Sequence, residues 1–187
     1  MRKIIILFVY LFCVSTQIPA QEKLNINIEK STIKWIGEYT FHFGGHEGFI
    51  NFKDGFFIKT NDVITGGEFI IDMNSITNTD IKNTEGNKGL VNHLKDPDFF
   101  DVPKYPIAKL EITSVEYFEN NKGRIHANMT IKGITKPIKF NTEFNYEKQE
   151  MFARFKIDRR DWNVSYKSKF KDGAISDAIG FEVTLKL

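Results

Sequence analysis

The feature that most constrains the fold is an alternation of apolar and polar side chains that recurs along most of the chain. Near the carboxyl terminus, Ile179, Phe181 and Val183 alternate with Glu182 and Thr184. Successive side chains of a β-strand point to opposite faces, so this period of two is typical of strands with one buried and one wet face. The same pattern predicts strands over 33–37, 48–52, 56–59, 67–73, 108–115, 124–131, 136–146, 151–158 and 179–187. We therefore predict an all-β protein.

Strands that are apolar on one face only must wrap that face around an interior, in a closed barrel or in a two-layer sandwich. Turn signals join the predicted strands at 53–55, 65–67, 120–123 and 171–173, and no long linker or internal repeat divides the chain. One short helix is predicted between Asn83 and Leu94, although its two glycines weaken the pattern. The sequence favours the barrel over the sandwich.

The first 20 residues have the pattern of a secretory signal peptide. Arg2 and Lys3 precede an apolar run over residues 4–14, and a small-residue cleavage signal ends at Ala20. The run is shorter than the roughly 20 apolar residues that a membrane-spanning helix needs. We predict a signal peptide over residues 1–20, no stable membrane span after its cleavage, and a periplasmic or secreted protein.

Cleavage after Ala20 would leave a domain over residues 21–187 with balanced charge and no cysteine. The 26 Lys and Arg less the two in the signal give 24, which equals the 24 Asp and Glu. Nucleic acids and anionic lipid surfaces attract an excess of basic residues, so neither is expected as a partner. The single cysteine, Cys13, lies in the signal, which excludes disulfides and a thiol nucleophile from the mature domain.

Phenylalanine is the anomaly of the composition. The 18 Phe less Phe8 and Phe12 of the signal leave 16 in the mature domain, about twice average usage. Inward-facing rings in this number could fill a solid core or line a tunnel. An eight-stranded barrel has the size at which either arrangement occurs, so the residues alone leave both open.

The histidines give little support for a metal site or a hydrolase. His42 and His46 are four residues apart, but the Phe-Gly-Gly between them prevents presentation on a helix, and no cysteine completes a ligand set. No Ser lies in a nucleophile elbow of the G-x-S-x-G kind. We expect no metal, no cofactor and no catalytic residue.

The charged cluster Asp158 to Trp162 follows a predicted strand and allows two interpretations. In the first, Arg159 pairs with a neighbouring carboxylate at a solvated strand end. In the second, Arg159 lies at the mouth of the barrel and meets the polar head of a ligand.

Four segments, taken together, resemble one known family. They are IKWIGEYTFHFGGHEG from Ile33, HLKDPDFFDVPKYPIAKLEITSV from His93, GRIHANMTIKGITKPIKF from Gly123 and FKIDRRDWNV from Phe155. In this order and spacing they are similar to the YceI family of exported lipid-binding proteins, over residues 31–187. The resemblance implies an extended eight-stranded antiparallel barrel of lipocalin-like build, whose apolar tunnel takes a polyisoprenoid or another long-chain amphiphile.

The tunnel hypothesis assigns two groups of ligand-binding residues. The apolar wall comprises Trp35, Phe41, Phe43, Phe69, Ile71, Phe140, Phe144, Phe155 and Phe181. The polar end comprises Asn92, His93, Lys95 and Arg159. Phe99 and Phe100 either cap the tunnel or plug the core beneath their loop.

The predicted function is that of an exported binding protein, not an enzyme, which sequesters or carries a fatty-acid-like or polyisoprenoid ligand. Two alternatives remain open. One is an enzyme acting on a lipid or isoprenoid headgroup, with His93 and either Asp96 or Asp98 as acid and base. The other is a structural domain with a solid core. The sequence also leaves a homodimer open.

Overall fold

The computed structural model describes residues 20–40, 43–164, 166 and 175–187. This part of the chain contains strands β1 (Gln21–Asn25), β2 (Thr32–Tyr39), β3 (Gly45–Thr60), β4 (Val63–Asp72), β5 (Ile107–Tyr117), β6 (Lys122–Ile131), β7 (Ile134–Asn145), β8 (Glu150–Asp158) and β9 (Ile175–Lys186), and helix α1 (Thr84–Lys95). Two short 3₁₀ helices lie at Met73–Ser75 and Arg159–Trp162. The all-β prediction with one short helix is confirmed.

Eight antiparallel strands close into a barrel in the order β3-β2-β9-β8-β7-β6-β5-β4, and β4 pairs back with β3. Closure of this kind removes the free edges that an open sheet would present to other chains. The predicted eight-stranded antiparallel barrel is therefore confirmed. None of the described helices is both long enough and apolar enough to cross a membrane.

The 16-residue strand β3 explains how nine strands make an eight-stranded barrel. Its first half pairs with β2, from Glu38↔Gly45 to Ile33↔Ile50. Its second half pairs with β1, from Asn25↔Phe56 to Gln21↔Thr60. Strands β1 and β2 thus follow one another along the same side of β3.

Three turn and strand predictions need correction. The sequence did not predict β1, and it divided β3 at residues 53–55, where the structure has a register shift within a continuous strand. The two glycines of 65–67 lie inside β4. The real β3–β4 turn is Asn61-Asp62, whose φ angles of 49° and 66° suit a two-residue hairpin that follows the twist of the strands. Residues 171–173 lie outside the described part.

The two ends of the barrel are built differently. At the end that we call the hairpin end, short turns join β3 to β4, β5 to β6 and β7 to β8. At the opposite end, which we call the helix end, the long β4–β5 connection carries α1, and the β2–β3 and β8–β9 connections also lie there. Aromatic packing fills the hairpin end, where the Tyr117 and Phe144 rings stack with centroids 5.4 Å apart.

Helix α1 starts where a polar side chain can satisfy its free backbone donors. The Asn83 side chain accepts a hydrogen bond from the Gly86 N–H at 2.9 Å, which is a standard N-cap. Leu94 is buried against the barrel core, and Leu90 and Val91 pack beside it. The helix therefore covers part of the helix end with its apolar side.

Candidate ligand-binding cavity

An apolar cavity of about 350 Å³ runs through the interior of the barrel. All eight barrel strands contribute to its wall because alternate residues point inward, as Met151, Ala153 and Phe155 do on β8. The volume is in the range of small-molecule binding sites. A barrel filled throughout by side chains would leave no such space, so the solid-core alternative does not describe this structure.

Most of the predicted wall residues line this cavity. They are Trp35, Phe69, Ile71, Phe140, Phe155 and Phe181, and Phe99 and Phe100, predicted as a cap or a plug, line it as well. Phe140 stacks on Phe155 with ring centroids 4.3 Å apart, and the Phe155 and Phe181 centroids are 5.5 Å apart. Because Phe140, Phe155 and Phe181 lie on the neighbouring strands β7, β8 and β9, they present a continuous aromatic surface to the cavity.

Two predicted wall residues lie elsewhere. Phe43 is fully exposed, because it belongs to the β2–β3 connection, where the alternation of strand side chains no longer applies. Phe144 is buried but lies at the hairpin end, packed between Tyr117 and Tyr146, and does not line the cavity. The prediction for Phe41 falls outside the described residues.

Of the four residues predicted for the polar end, only two line the cavity. His93 and Arg159 line the cavity, whereas Asn92 and Lys95 do not. Asn92 is exposed, and the Lys95 ammonium donates to the Asn74 carbonyl at 2.7 Å. Neighbouring helical residues point about 100° apart, so a helix lying on the barrel can turn His93 inward while Asn92 faces water.

Arg159 pairs with a carboxylate, as in the first interpretation of its charged cluster, and it also lines the cavity. It is buried and lines the cavity, and its Nη2 donates to Asp177 Oδ1 at 2.9 Å. Its Nη1 donates to the Val164 carbonyl at 2.6 Å and its Nε to the Ser176 carbonyl at 3.3 Å. The guanidinium therefore ties the end of β8 to the start of β9, and its charge is compensated by a carboxylate.

The next residue, Arg160, sets the acidity of Asp158. Hydrogen bonds from the Arg160 side chain hold the pKa of Asp158 at about 2, below its usual value of 3.8. Stability from this pairing is complete above pH 3.8 and is lost as the pH falls through the folded-state pKa of about 2. We expect the stability difference between wild type and Asp158→Asn to shrink over this window, as measured by chemical unfolding at successive pH values. Arg160→Gln should give the same pH dependence as Asp158→Asn, and wild-type and variant curves that stay parallel would contradict this assignment.

His93 lies near two carboxylates without a hydrogen bond to either. Its Nδ1 is 4.0 Å from Asp96 Oδ2 and 3.9 Å from Asp98 Oδ1, which is too long for a hydrogen bond. Its Nε2 is buried without a hydrogen-bond partner among the described residues, and its ring lies edge-on to Tyr166 at 4.4 Å. His93, Asp96 and Asp98, which the sequence indicated only as a possible acid and base, also lie close enough together to hold a cation, but the two carboxylates are exposed.

Sequence reasoning missed a chain of three hydrogen-bonded side chains at the helix end. The Tyr39 hydroxyl lies 2.8 Å from His46 Nε2, and His46 Nδ1 lies 2.8 Å from Asp80 Oδ2. Tyr39 and His46 both line the cavity. Asp80 comes 34 residues after His46, so no local motif in the sequence indicates the contact.

The environment of Asp80 keeps it ionised. Burial raises the pKa of this carboxyl, but hydrogen bonds from the Glu47 N–H, His46 and Asn78 together outweigh that effect and lower the pKa below its usual value. Asp80 Oδ1 accepts from the Glu47 N–H at 2.9 Å. An ionised carboxylate, held in place by these hydrogen bonds, therefore contacts His46 Nδ1.

The segment before Asp80 is held against β3 by the backbone and by one indole. The Thr77 N–H donates to the Phe49 carbonyl and the Thr79 N–H to the Glu47 carbonyl, both at 2.9 Å. The Trp35 Nε1–H donates to the Thr77 carbonyl at 2.9 Å. A cavity-wall residue thus also anchors the segment that positions Asp80.

Comparison with known proteins identifies the family. The YceI-like domain matches residues 19–187 of the chain. The chain belongs to the YceI-like family. A UPF0312 protein of Pseudomonas putida strain F1 is 28% identical over 100 residues, which are 50% of this chain and 50% of that protein. A UPF0312 protein of Photorhabdus laumondii is 34% identical over 80 residues, 43% of this chain and 40% of that protein. The matched stretch thus spans half or less of these curated relatives.

Solved structures with the YceI-like fold match more of the chain. Burkholderia cenocepacia BcnA has a TM-score of 0.70 at 17% identity and covers 86% of this chain and 98% of its own. The Campylobacter jejuni YceI protein has a TM-score of 0.53 at 24% identity and covers 74% of this chain and 84% of its own. At these identities the likeness shows the shared YceI barrel fold.

Proposed function

We propose that this protein is an exported binding protein that holds one long-chain apolar ligand, of fatty-acid-like or polyisoprenoid type, inside its barrel. The observation that carries the proposal is the cavity of about 350 Å³, which is walled mainly by aromatic and aliphatic side chains. Polar groups such as Arg159, His93 and Tyr39 meet it at the helix end. This arrangement suits an amphiphile whose chain lies in the barrel and whose head lies near that end.

Burial of the chain alone can supply the affinity. Each methylene removed from water contributes about 0.8 kcal/mol, so ten carbons contribute about 8 kcal/mol. This is comparable with the association cost of about 4 to 15 kcal/mol, and longer chains exceed more of that range. No reaction is needed to explain such a site.

Export belongs to the same proposal. It is supported by Arg2 and Lys3, the apolar run after them and the cleavage signal that ends at Ala20. Delivery in the periplasm or in the outside medium is compatible with a barrel that encloses its ligand.

The enzyme alternative has less support. The carboxylates nearest to His93 Nδ1 are 3.9 and 4.0 Å away, beyond hydrogen-bond distance, so neither of them orients the ring in this structure. The Tyr39, His46 and Asp80 chain has no sulfur or aliphatic hydroxyl nucleophile at its cavity end.

Native mass spectrometry tests the proposal. Freshly purified protein is weighed under native and denaturing conditions, its organic extract is analysed, and the stripped protein is offered dodecanoate or a short isoprenoid. We expect a bound amphiphile in the extract, or uptake of one equivalent after stripping. Absence of both would refute the binding function, and chemical conversion of the offered lipid on prolonged incubation would favour the enzyme instead.

A further inference from the structure

We propose that Tyr39 recognises the polar end of the ligand and that its phenol oxygen accepts a hydrogen bond from an uncharged donor, such as a hydroxyl group. His46 and Asp80 are positioning residues that hold Tyr39 in this role. The inference rests on the proposed function, because it assigns the head-binding group of the same cavity. It adds the chemical class of the polar head, which the apolar cavity wall does not indicate.

The strand pairing brings Tyr39 and His46 together on the cavity side of the barrel. His46 is opposite Gly37 on β2, in the same inward-facing set of β3 as Ile50 and Phe52. The pairing of β2 with β9 shifts its register after Gly37, and Tyr39 is the first β2 residue that pairs beyond the shift. Both side chains therefore lie where the cavity meets the helix end.

The direction of the hydrogen bonds follows from Asp80. An ionised carboxylate can only accept, so the His46 nitrogen that faces it at 2.8 Å, Nδ1, carries the proton. In a neutral imidazole the other nitrogen, Nε2, then has a lone pair and accepts. When the imidazole is neutral, the Tyr39 hydroxyl, 2.8 Å from Nε2, donates its proton there. The phenol oxygen has no second proton, so it offers lone pairs alone to a ligand.

Further hydrogen bonds within the protein hold this chain of side chains in place. Asn78 is buried, donates to Asp80 and to the Glu47 carbonyl at 3.0 Å, and accepts from the Ile81 N–H at 3.0 Å. Asn87 donates to the Asn78 side chain at 3.1 Å. A group fixed in advance loses little conformational freedom on binding, so its hydrogen bond contributes more to affinity.

The charges near the same end favour an uncharged head. The formally charged side chains that line the cavity already have partners: Arg159 pairs with Asp177 at 2.9 Å, Glu38 with Lys156 at 2.7 Å and Lys109 with Glu68 at 2.7 Å. An ionised head would have to leave water and compete with these existing partners, at considerable desolvation cost. A neutral donor needs only the acceptor that Tyr39 presents.

Three ligands with the same carbon chain test the inference: 1-dodecanol, its methyl ether and dodecanoate, titrated into stripped wild-type protein and variants. We expect wild type to bind the alcohol about fivefold more tightly than the ether, as one buried neutral hydrogen bond of about 1 kcal/mol implies. We also expect the alcohol to bind more tightly than the carboxylate. In Tyr39→Phe the preference for alcohol over ether should fall to about one, while ether affinity stays within about twofold.

A second variant tests the direction of the hydrogen bonds at Tyr39. This direction would not affect ligand preference if His46 had only a structural role. His46→Leu removes the acceptor for the Tyr39 proton, so the phenol can donate outward, and binding of the ether, which can only accept, should strengthen relative to the alcohol. Tyr117→Phe is the matched control, since its hydroxyl bonds to the Ile64 backbone at the hairpin end. This control should keep the wild-type preference.

The outcomes separate this inference from the proposed function. Equal binding of alcohol and ether by wild type, an unchanged preference in Tyr39→Phe, or tightest binding of dodecanoate overturns the role of Tyr39 while leaving a chain-binding barrel. Failure of all three ligands to bind the folded wild-type protein overturns the proposed function as well.

Discussion

Replacing Gly48 with alanine should lower the free energy of unfolding by about 2 to 4 kcal/mol, because the new methyl group has no room. A Cβ at this position would lie 1.9 Å from the Thr77 carbonyl oxygen and 2.8 Å from Trp35 Nε1. The indole crosses above Gly48 to donate to that same carbonyl. The substitution therefore separates β3 from the segment at Thr77 and also breaks the Trp35 hydrogen bond.

Denaturant unfolding followed by circular dichroism measures this effect. Gly89→Ala is the matched control, because Gly89 lies in helix α1 and a Cβ added there would have no atom within 4 Å. That control should leave stability unchanged or raise it by up to about 1 kcal/mol, as alanine is the better helix former. Equal effects of the two substitutions would show that the close approach of Trp35 and Thr77 at Gly48 is not a real constraint.

Replacing Ala153 with phenylalanine should weaken binding of a long-chain ligand by about tenfold or more, equivalent to about 1.4 kcal/mol or more. Ala153 is 1% exposed and lies in the middle of β8 on the cavity wall. A ring added there occupies space that the chain of the ligand would use. Titration with dodecanoate or 1-dodecanol gives the change in affinity directly.

The control for Ala153→Phe places the same ring on the other face of the strand. Arg154 is exposed, and its ion pair with Glu182 lies at the surface, where such pairs contribute little. Arg154→Phe should therefore bind ligand as wild type does, and circular dichroism checks that both variants are folded. Wild-type affinity in a folded Ala153→Phe variant would mean that ligands do not occupy the barrel interior.

The strand faces were predictable because the period of two is a local property of the sequence. Inward residues such as Phe69 and Ile71 therefore face the interior as expected. Register is not local: β3 continues through 53–55 because a shift in its pairing with β4 absorbs the Lys-Asp-Gly segment. The turn predicted at 65–67 was wrong for the same reason, because these residues lie within the single strand β4.

The site was predictable only in part. Alternation indicates which side chains face inward but not whether they meet across the barrel, so composition could not distinguish a cavity from a filled core. Phe43 was misplaced because it lies beyond the strand ends. The Tyr39, His46 and Asp80 chain depends on the connection after β4 folding back onto β3, which no short motif encodes.

A crystal structure of the stripped protein, soaked with a dodecanoate that carries bromine at its terminal carbon, tests most directly whether the ligand chain lies inside the barrel. We expect anomalous bromine density inside the barrel, against the aromatic surface formed by Phe140, Phe155 and Phe181. Bromine density confined to the outer surface, with an interior that stays free of ligand at saturating concentration, would contradict it.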